Sequence, residues 1–543
     1  MNGPAFTRSG PKAPNAMRLA VAAVALAQLV AAVPALAQVQ VRTLAPPDLF
    51  SVGTGKSDLP SDLWDGSSGA LAKAMIPGLG ARPLSAAGRS LARHVLSAGG
   101  NAPEGVGDDA DLAGARAQAL LQLGDAAGAE AITDGTPNLA QKTALSQVAA
   151  EAALIRGEED KACGVGDALA AGRDGNYWLR LRAYCQARAG QTAPAQLTLD
   201  LTRQQDHVAD FARLMDAMLA GKDAGAPALD DGLDYALSRR TVAAWGQGLA
   251  AASAPVAVAV ARDPMAPPAA RIEAEARAMR LGLPVVDVYA AVSPPPADVA
   301  SADQPGAAGE AGLLALASTT TDLTIKEAAI IALLRRAKDP SELQALASLA
   351  DPSIVQLIAA KAVLKEPALF AQTAAAAGDA DSAKAARAQV GQGAPPPSPA
   401  DLALLDALIA AVTPPPDASA ISALDTILTQ GEPPARARAG QAMSLLAALG
   451  APVGAQVRFD LSSADLGATK ANAGRLTALD LAARAGRMGD VALYALAIDA
   501  EAPPEGLSVA DRAALVKALA QAGLKSDARA YAIDGLMTLQ AHP

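Results

Sequence analysis

Apolar runs interrupted by glycine at a fixed interval give the chain its clearest pattern. The segments QALLQLGDAAGAEAI, AEAALIRGEEDKACG and RAYCQARAGQTAPAQLTL place Gly124, Gly157 and Gly190 after alanine- and leucine-rich stretches, 33 residues apart. Alanines recur in register on both sides: Ala117, Ala150 and Ala183 before the glycines, Ala129, Ala162 and Ala195 after them. A glycine that ends one apolar-periodic run and opens another predicts a helix, a left-handed turn and a second helix, so each unit reads as a helical hairpin. The repetition is clearest over 104–225.

Beyond it the register loosens but the helical pattern continues. Helices are predicted at Asp206–Leu219, from about Asp231, and at Arg271–Leu283, within a segment 226–292. Residues 293–312 (SPPPADVASADQPGAAGEAG read from Ser293) have a linker's composition, because proline and glycine oppose a packed helix. A helical segment 313–390 follows, containing Ile325–Ala337 with Arg335 and Arg336 near its end, where the helix dipole favours positive charge. Proline-rich breaks over 391–416 bracket one helix, Leu402–Val412. Turn glycines return at Gly450, Gly486 and Gly523 in a C-terminal repeat segment, 417–543, whose last helix, Asp527–Gln540, is expected to cap the stack. The expected fold is all-α, an α-solenoid of stacked helical hairpins; whether it is one superhelix or two arrays separated by the proline-rich stretches stays open.

The small residue in the first helix, the Gly124-Asp125 and Gly157-Glu158 turns and the small residue in the second helix resemble the tetratricopeptide repeat. The resemblance covers about 100 residues. The unit here is 33 residues long and lacks most of that family's aromatic positions and its terminal proline. What the resemblance implies is a right-handed stack of antiparallel helix pairs with a concave face.

The first 37 residues read as an address. Arg8, Lys12 and Arg18 precede the apolar run Leu19–Val33, and Ala35-Leu36-Ala37 supplies a small-x-small site before Gln38, predicting cleavage between Ala37 and Gln38 and a periplasmic or secreted product. Met17 is an alternative start. The segment holds three of 45 basic residues and none of 55 acidic ones, leaving a mature net charge of −13 that disfavours nucleic acid as a partner. Hydrophobic residues make up 51% of the chain but aromatics only 3%, so the core must be built from closely approaching alanine-rich helices. No later run is long enough to span a bilayer, so no stable membrane span is expected after signal removal.

Few side chains stand out. Cys163 and Cys185 fall on the second helix of one unit and the first helix of the next, and in an oxidising compartment they are the disulfide candidate. Trp64 lies in a Pro-, Gly- and Ser-rich leader, 38–103, whose one helical patch is Leu84–Leu96; it is either a plug on the first helices or an exposed interaction anchor. Gly53-Thr54-Gly55-Lys56-Ser57 imitates a phosphate-binding loop, but Phe50 occupies the position of its first glycine and Pro46, Pro47 and Pro60 spoil the flanks. His94, His207 and His542 show no partnership in sequence. Acidic clusters at Asp108-Asp109-Asp111, Glu158-Glu159-Asp160 and Asp230-Asp231-Asp234 sit near helix starts, where carboxylates cap free amides. H-E-x-x-H, G-x-S-x-G and cysteine–histidine metal spacings are missing, so no catalytic, cofactor-binding or metal-ligating residue is assigned. The pattern favours an exported helical-repeat scaffold that binds another envelope protein. The alternative is an accessory or catalytic component of peptidoglycan or envelope polysaccharide processing; sugar binding alone is discouraged by the scarcity of aromatics.

Overall fold

Each 33-residue unit folds as the glycine spacing predicts. In the computed structural model the hairpins are Ala110–Gln122 with Ala126–Asp134, Thr143–Ile155 with Glu159–Ala168, and Asn176–Arg188 with Thr192–Gln205. Gly124, Gly157 and Gly190 have φ of 87°, 76° and 74°, the left-handed conformation that glycine adopts without a Cβ penalty. Every turn closes with the same pair of bonds: Asp125 N–H to Leu120 O and Gly124 N–H to Leu121 O in the first, and their counterparts at Glu158 and Gly157, and at Gln191 and Gly190. These satisfy the last carbonyls of the first helix as it stops. All six register alanines, 117, 150, 183, 129, 162 and 195, are fully buried. They are the points of closest helix approach, where a larger side chain would separate the pair.

The structure describes residues 48–55, 57–205, 208–246, 248–283, 295–392, 396–413, 415–503 and 505–540. The 1–37 segment with its Ala37–Gln38 junction, and Lys56, His207 and His542, lie outside them. Among the described residues there are 26 α-helices and no strand, packed mostly as sequence neighbours, the arrangement of an α-solenoid of helical hairpins. Even the β-branched run Val256–Ala261 is helical, within Ala254–Arg262, and its buried positions, Val256, Ala257, Val260 and Ala261, recur at helical spacing. No described helix is long and apolar enough to cross a membrane.

The proline-rich stretches do not separate two arrays. Residues 47–543 form one unit. The Pro340–Ala359 helix touches both Pro268–Arg280 and Lys525–Met537, and Pro399–Val412 packs on Pro433–Ala448 and Lys525–Met537. The linker expected at 293–312 contains the helix Val299–Ala302 and the start of Ala307–Thr319. Gly309 and Gly312 serve close packing: a Cβ on Gly312 would meet the Ala302 carbonyl at 2.7 Å. Lys525–Met537 is not a terminal cap either, since its Tyr531 is fully buried and its neighbours include the leader helix Ala86–Ser97.

Cys163 and Cys185 form a disulfide joining Glu159–Ala168 to Asn176–Arg188, with Cα atoms 5.8 Å apart. The bond pins consecutive hairpins across 22 residues of chain, a closure that stabilises by about 3 kcal/mol in the chain-entropy account. Replacing both cysteines by serine is expected to cost about that much in urea denaturation, with the strongest loss of amide-exchange protection in the two bridged helices. Unchanged protection there would show that packing alone holds the junction.

Candidate functional site

The leader determines the centre of the molecule. Residues 48–103 are not an extended arm but a docked element, with helices at Gly69–Met75 and Ala86–Ser97. Of the two readings of Trp64, plug and exposed anchor, burial agrees with the plug: the side chain is completely buried and stands edge-on to Phe50 at 6.2 Å. It does not rest only on the first helices. A Cβ on Gly489, at the start of Met488–Ala500, would lie 2.5 Å from the Trp64 ring, so glycine is what lets the C-terminal hairpin close on the indole. The Gly489 N–H bonds the Leu63 carbonyl at 3.0 Å, and the Arg487 guanidinium donates to Asp65 O at 3.2 Å.

Three aspartates from the end of the chain complete the leader's helix starts. Asp490 accepts from Ser68 N–H at 3.0 Å; Asp499 accepts from the backbone N–H and the hydroxyl of Ser85, both at 3.0 Å; Asp534 accepts from Ala87 N–H at 3.1 Å. A helix N-terminus presents unpaired amides and a partial positive charge, so carboxylates are its natural partners. Burial raises the Asp499 carboxyl to about 6 and also raises Asp534. At the other end of Ala86–Ser97, the fully buried Arg116 donates to Leu96 O at 2.8 Å, to Ala98 O and to Phe50 O, with its guanidinium 5.1 Å above the Phe50 ring. The helix is thus held by negative groups at its N-terminus and a positive one at its C-terminus.

His94, on the same helix, lies between two carboxylates: Nδ1 is 2.9 Å from Asp527 and Nε2 is 2.6 Å from Asp58. The hydrogen bond to the buried Asp527 is the chief reason its pKa rises to about 9, so the ring is an imidazolium clasp between leader and C-terminal helix.

Around this helix the surface opens into three cavities. One of about 250 Å³ is lined by Arg89, Ser90, Arg93, Arg280, Ser341, Gln344, Ser348 and Asp534 among others. Arg93 and Gly282 also border a cavity of about 620 Å³ that contains Arg262, and Arg89 borders one of about 450 Å³ that contains Arg82 and Arg277. The three therefore form one crevice with Arg89 and Arg93, one helical turn apart, as its internal walls. Among the described residues, none of Arg82, Arg89, Arg93, Arg262, Arg277 or Arg280 forms a salt bridge, whereas Arg239 and Arg156 in the same walls pair with Asp263 and with Glu130 and Glu158. Burial lowers the pKa of Arg89, Arg93 and Arg277, and the neighbouring arginines lower Arg93 and Arg277 further.

Two of the three acidic clusters singled out in sequence cap helix starts, Asp109 accepting from Leu112 N–H at 2.9 Å and Asp231 from Asp234 N–H at 2.8 Å, whereas Glu158, Glu159 and Asp160 make no side-chain cap and pair with Arg156, Arg240 and Arg188. Arg335 and Arg336 pair with Glu366 and Asp303. Sequence reasoning missed the crevice arginines, Arg116 and the partners of His94. The i, i+4 spacing of Arg89 and Arg93 was the one available signal. Compared with known protein families, characterised proteins and solved structures, the chain matches none.

Proposed function

We propose that the chain is an exported helical-repeat scaffold that binds another protein of a bacterial envelope. The observation that carries this reading is the crevice at the centre of the fold. Although the chain's formal net charge is −10, arginines that form no salt bridge among the described residues line three neighbouring cavities beside the leader helix, with carboxylates such as Asp125, Asp231 and Asp534 in the same linings. Guanidinium forks that no carboxylate fills in a partly desolvated cavity favour a complementary partner. The Cys163–Cys185 disulfide agrees with an oxidising compartment, and the Arg8–Ala37 sequence with delivery to it.

Fractionation followed by crosslinking of the tagged chain in intact cells tests the reading. The expected result is a product beginning at Gln38 in the osmotic-shock fraction, crosslinked to one recurrent envelope protein. Retention in the cytosol, or release of sugar fragments from purified cell wall without a protein partner, would replace it with the envelope-processing alternative.

A further inference from the structure

We infer that the cavity between Arg89, Arg93 and Arg280 is the seat for an acidic, extended peptide segment of the partner, the carboxylates of which replace the missing ion pairs of these arginines. This rests on the scaffold reading and specifies the chemistry of what binds there.

Arg89 and Arg93 project from adjacent turns of Ala86–Ser97, and Arg280 closes the opposite wall from the end of Pro268–Arg280. Among the described residues their hydrogen bonds go to backbone carbonyls: Arg89 donates to Leu84 O at 2.7 Å, and Arg93 to Gly282 O at 3.3 Å and, at 3.5 Å, to Leu123 O, while Asp499 and Asp534 lie near enough to Arg89, and Asp125 to Arg93, to act on their charge without forming a salt bridge. The Arg89 Nε is buried with no acceptor, and Arg280 is exposed at the rim. One carboxylate, Asp534, borders the cavity, but it is already engaged by Ala87 N–H and lies 3.8 Å from Arg512. Glu310 lies close enough to feel the charge of Arg280, without forming an ion pair with it. Guanidinium forks bind carboxylates in a bidentate manner, so each arginine can accept one acidic side chain.

The rest of the lining selects a peptide over a glycan. Ser90 and Ser341 offer hydroxyl groups suited to a peptide backbone, between the small walls of Ala86, Ala87 and Ala345. The three tryptophans, Trp64, Trp178 and Trp245, are all buried, so no indole is presented for sugar stacking. The neighbouring cavities beyond Arg93 and beyond Arg89 hold carboxylates of their own, Asp125 and Asp263 in one and Glu151, Asp230 and Asp231 in the other, so the acidic segment is seated in the cavity between Arg89, Arg93 and Arg280.

The test uses the full mature chain and fluorescent hexapeptides of alternating Glu and Ser, with Gln and Ser as the neutral control. The acidic peptide is expected to bind at least roughly tenfold more tightly than the neutral one, with affinity falling as salt is raised. Arg280→Glu, at an exposed residue that forms no bond, is expected to fold normally and to weaken the acidic peptide by roughly tenfold or more. Arg484→Gln, which lines none of the three cavities, should leave binding unchanged. Equal binding by Arg280→Glu, or displacement by inorganic phosphate or by an oligogalacturonate at lower concentration than by the peptide, overturns the assignment. If the crosslinked envelope partner is still recovered in that case, the scaffold reading survives and only its acidic seat is lost. If peptides bind and no partner is recovered, the scaffold reading fails instead.

Discussion

Arg116→Met is expected to destabilise the protein by about 3–5 kcal/mol, the largest effect of any single substitution considered. Two effects compete. Burial disfavours the guanidinium, pulling its pKa down to about 10, so an apolar replacement relieves a desolvation cost. Against this, its three donors satisfy the carbonyls of Leu96, Ala98 and Phe50, and a bond to a charged group contributes roughly 1.5–3 kcal/mol. Methionine nearly fills the volume but takes the guanidinium donors from the Leu96 and Ala98 carbonyls, while Phe50 O keeps only the Gly100 N–H, so the loss outweighs the relief. Denaturant unfolding followed by circular dichroism measures it; a change below about 1 kcal/mol would mean that the carbonyls find other donors.

The second large effect is a loss of stability on the alkaline side. The fold favours the charged form of His94, raising it to about 9, so its contribution is complete below the unfolded value of 6.5 and disappears as pH climbs through about 9. Glu151 and Asp499 are shifted by burial, to about 8 and about 6, which means that the fold favours their neutral forms. The folded chain then holds more protons than the unfolded one between 4.5 and about 8 for Glu151 and between 3.8 and about 6 for Asp499, and stability declines with rising pH through those windows. All three groups tilt in one direction. The carboxyls lowered by their partners, Asp109 beside Lys73 and Asp263 beside Arg239, oppose the trend only below about pH 4. Unfolding free energies from urea titration are therefore expected to be highest near pH 5 and to fall progressively at 7.5 and 9.5, by several kcal/mol in total. Glu151→Gln should flatten the interval between pH 5 and 8. An unfolding free energy that rises from pH 5 to 9.5 would contradict the protonation states assigned to all three residues.

What could be read from sequence was local. The hairpins follow from glycine and alanine positions within a few residues of each other, and the bridged cysteines sit on helices adjacent in the chain. The predicted Leu402–Val412 lies within a few residues of the observed Pro399–Val412, because proline punctuates both ends. The centre of the molecule depends instead on groups far apart in sequence. Asp490, Asp499 and Asp534 look like ordinary helix-surface carboxylates until the leader's amides arrive. Trp64 stood out by rarity, but the glycine that accommodates it, Gly489, lies in the last hairpins. The crevice arginines were hidden for the same reason: they become a group only when Ala86–Ser97 is laid beside Pro268–Arg280.

The docking of the leader also imposes an order on folding. Successive hairpins can form as their own residues become available, since their contacts are short-range and quick to close. Ala86–Ser97 is made early, yet the carboxylates that complete it belong to residues 499 and 534. Its N-terminal amides must wait for nearly the whole chain, and closing so long a loop is the slow, entropically costly step. A chain that stops before Met488 can build its repeats but cannot close its centre. The crevice is therefore completed last, and only by a chain that carries its final hairpins.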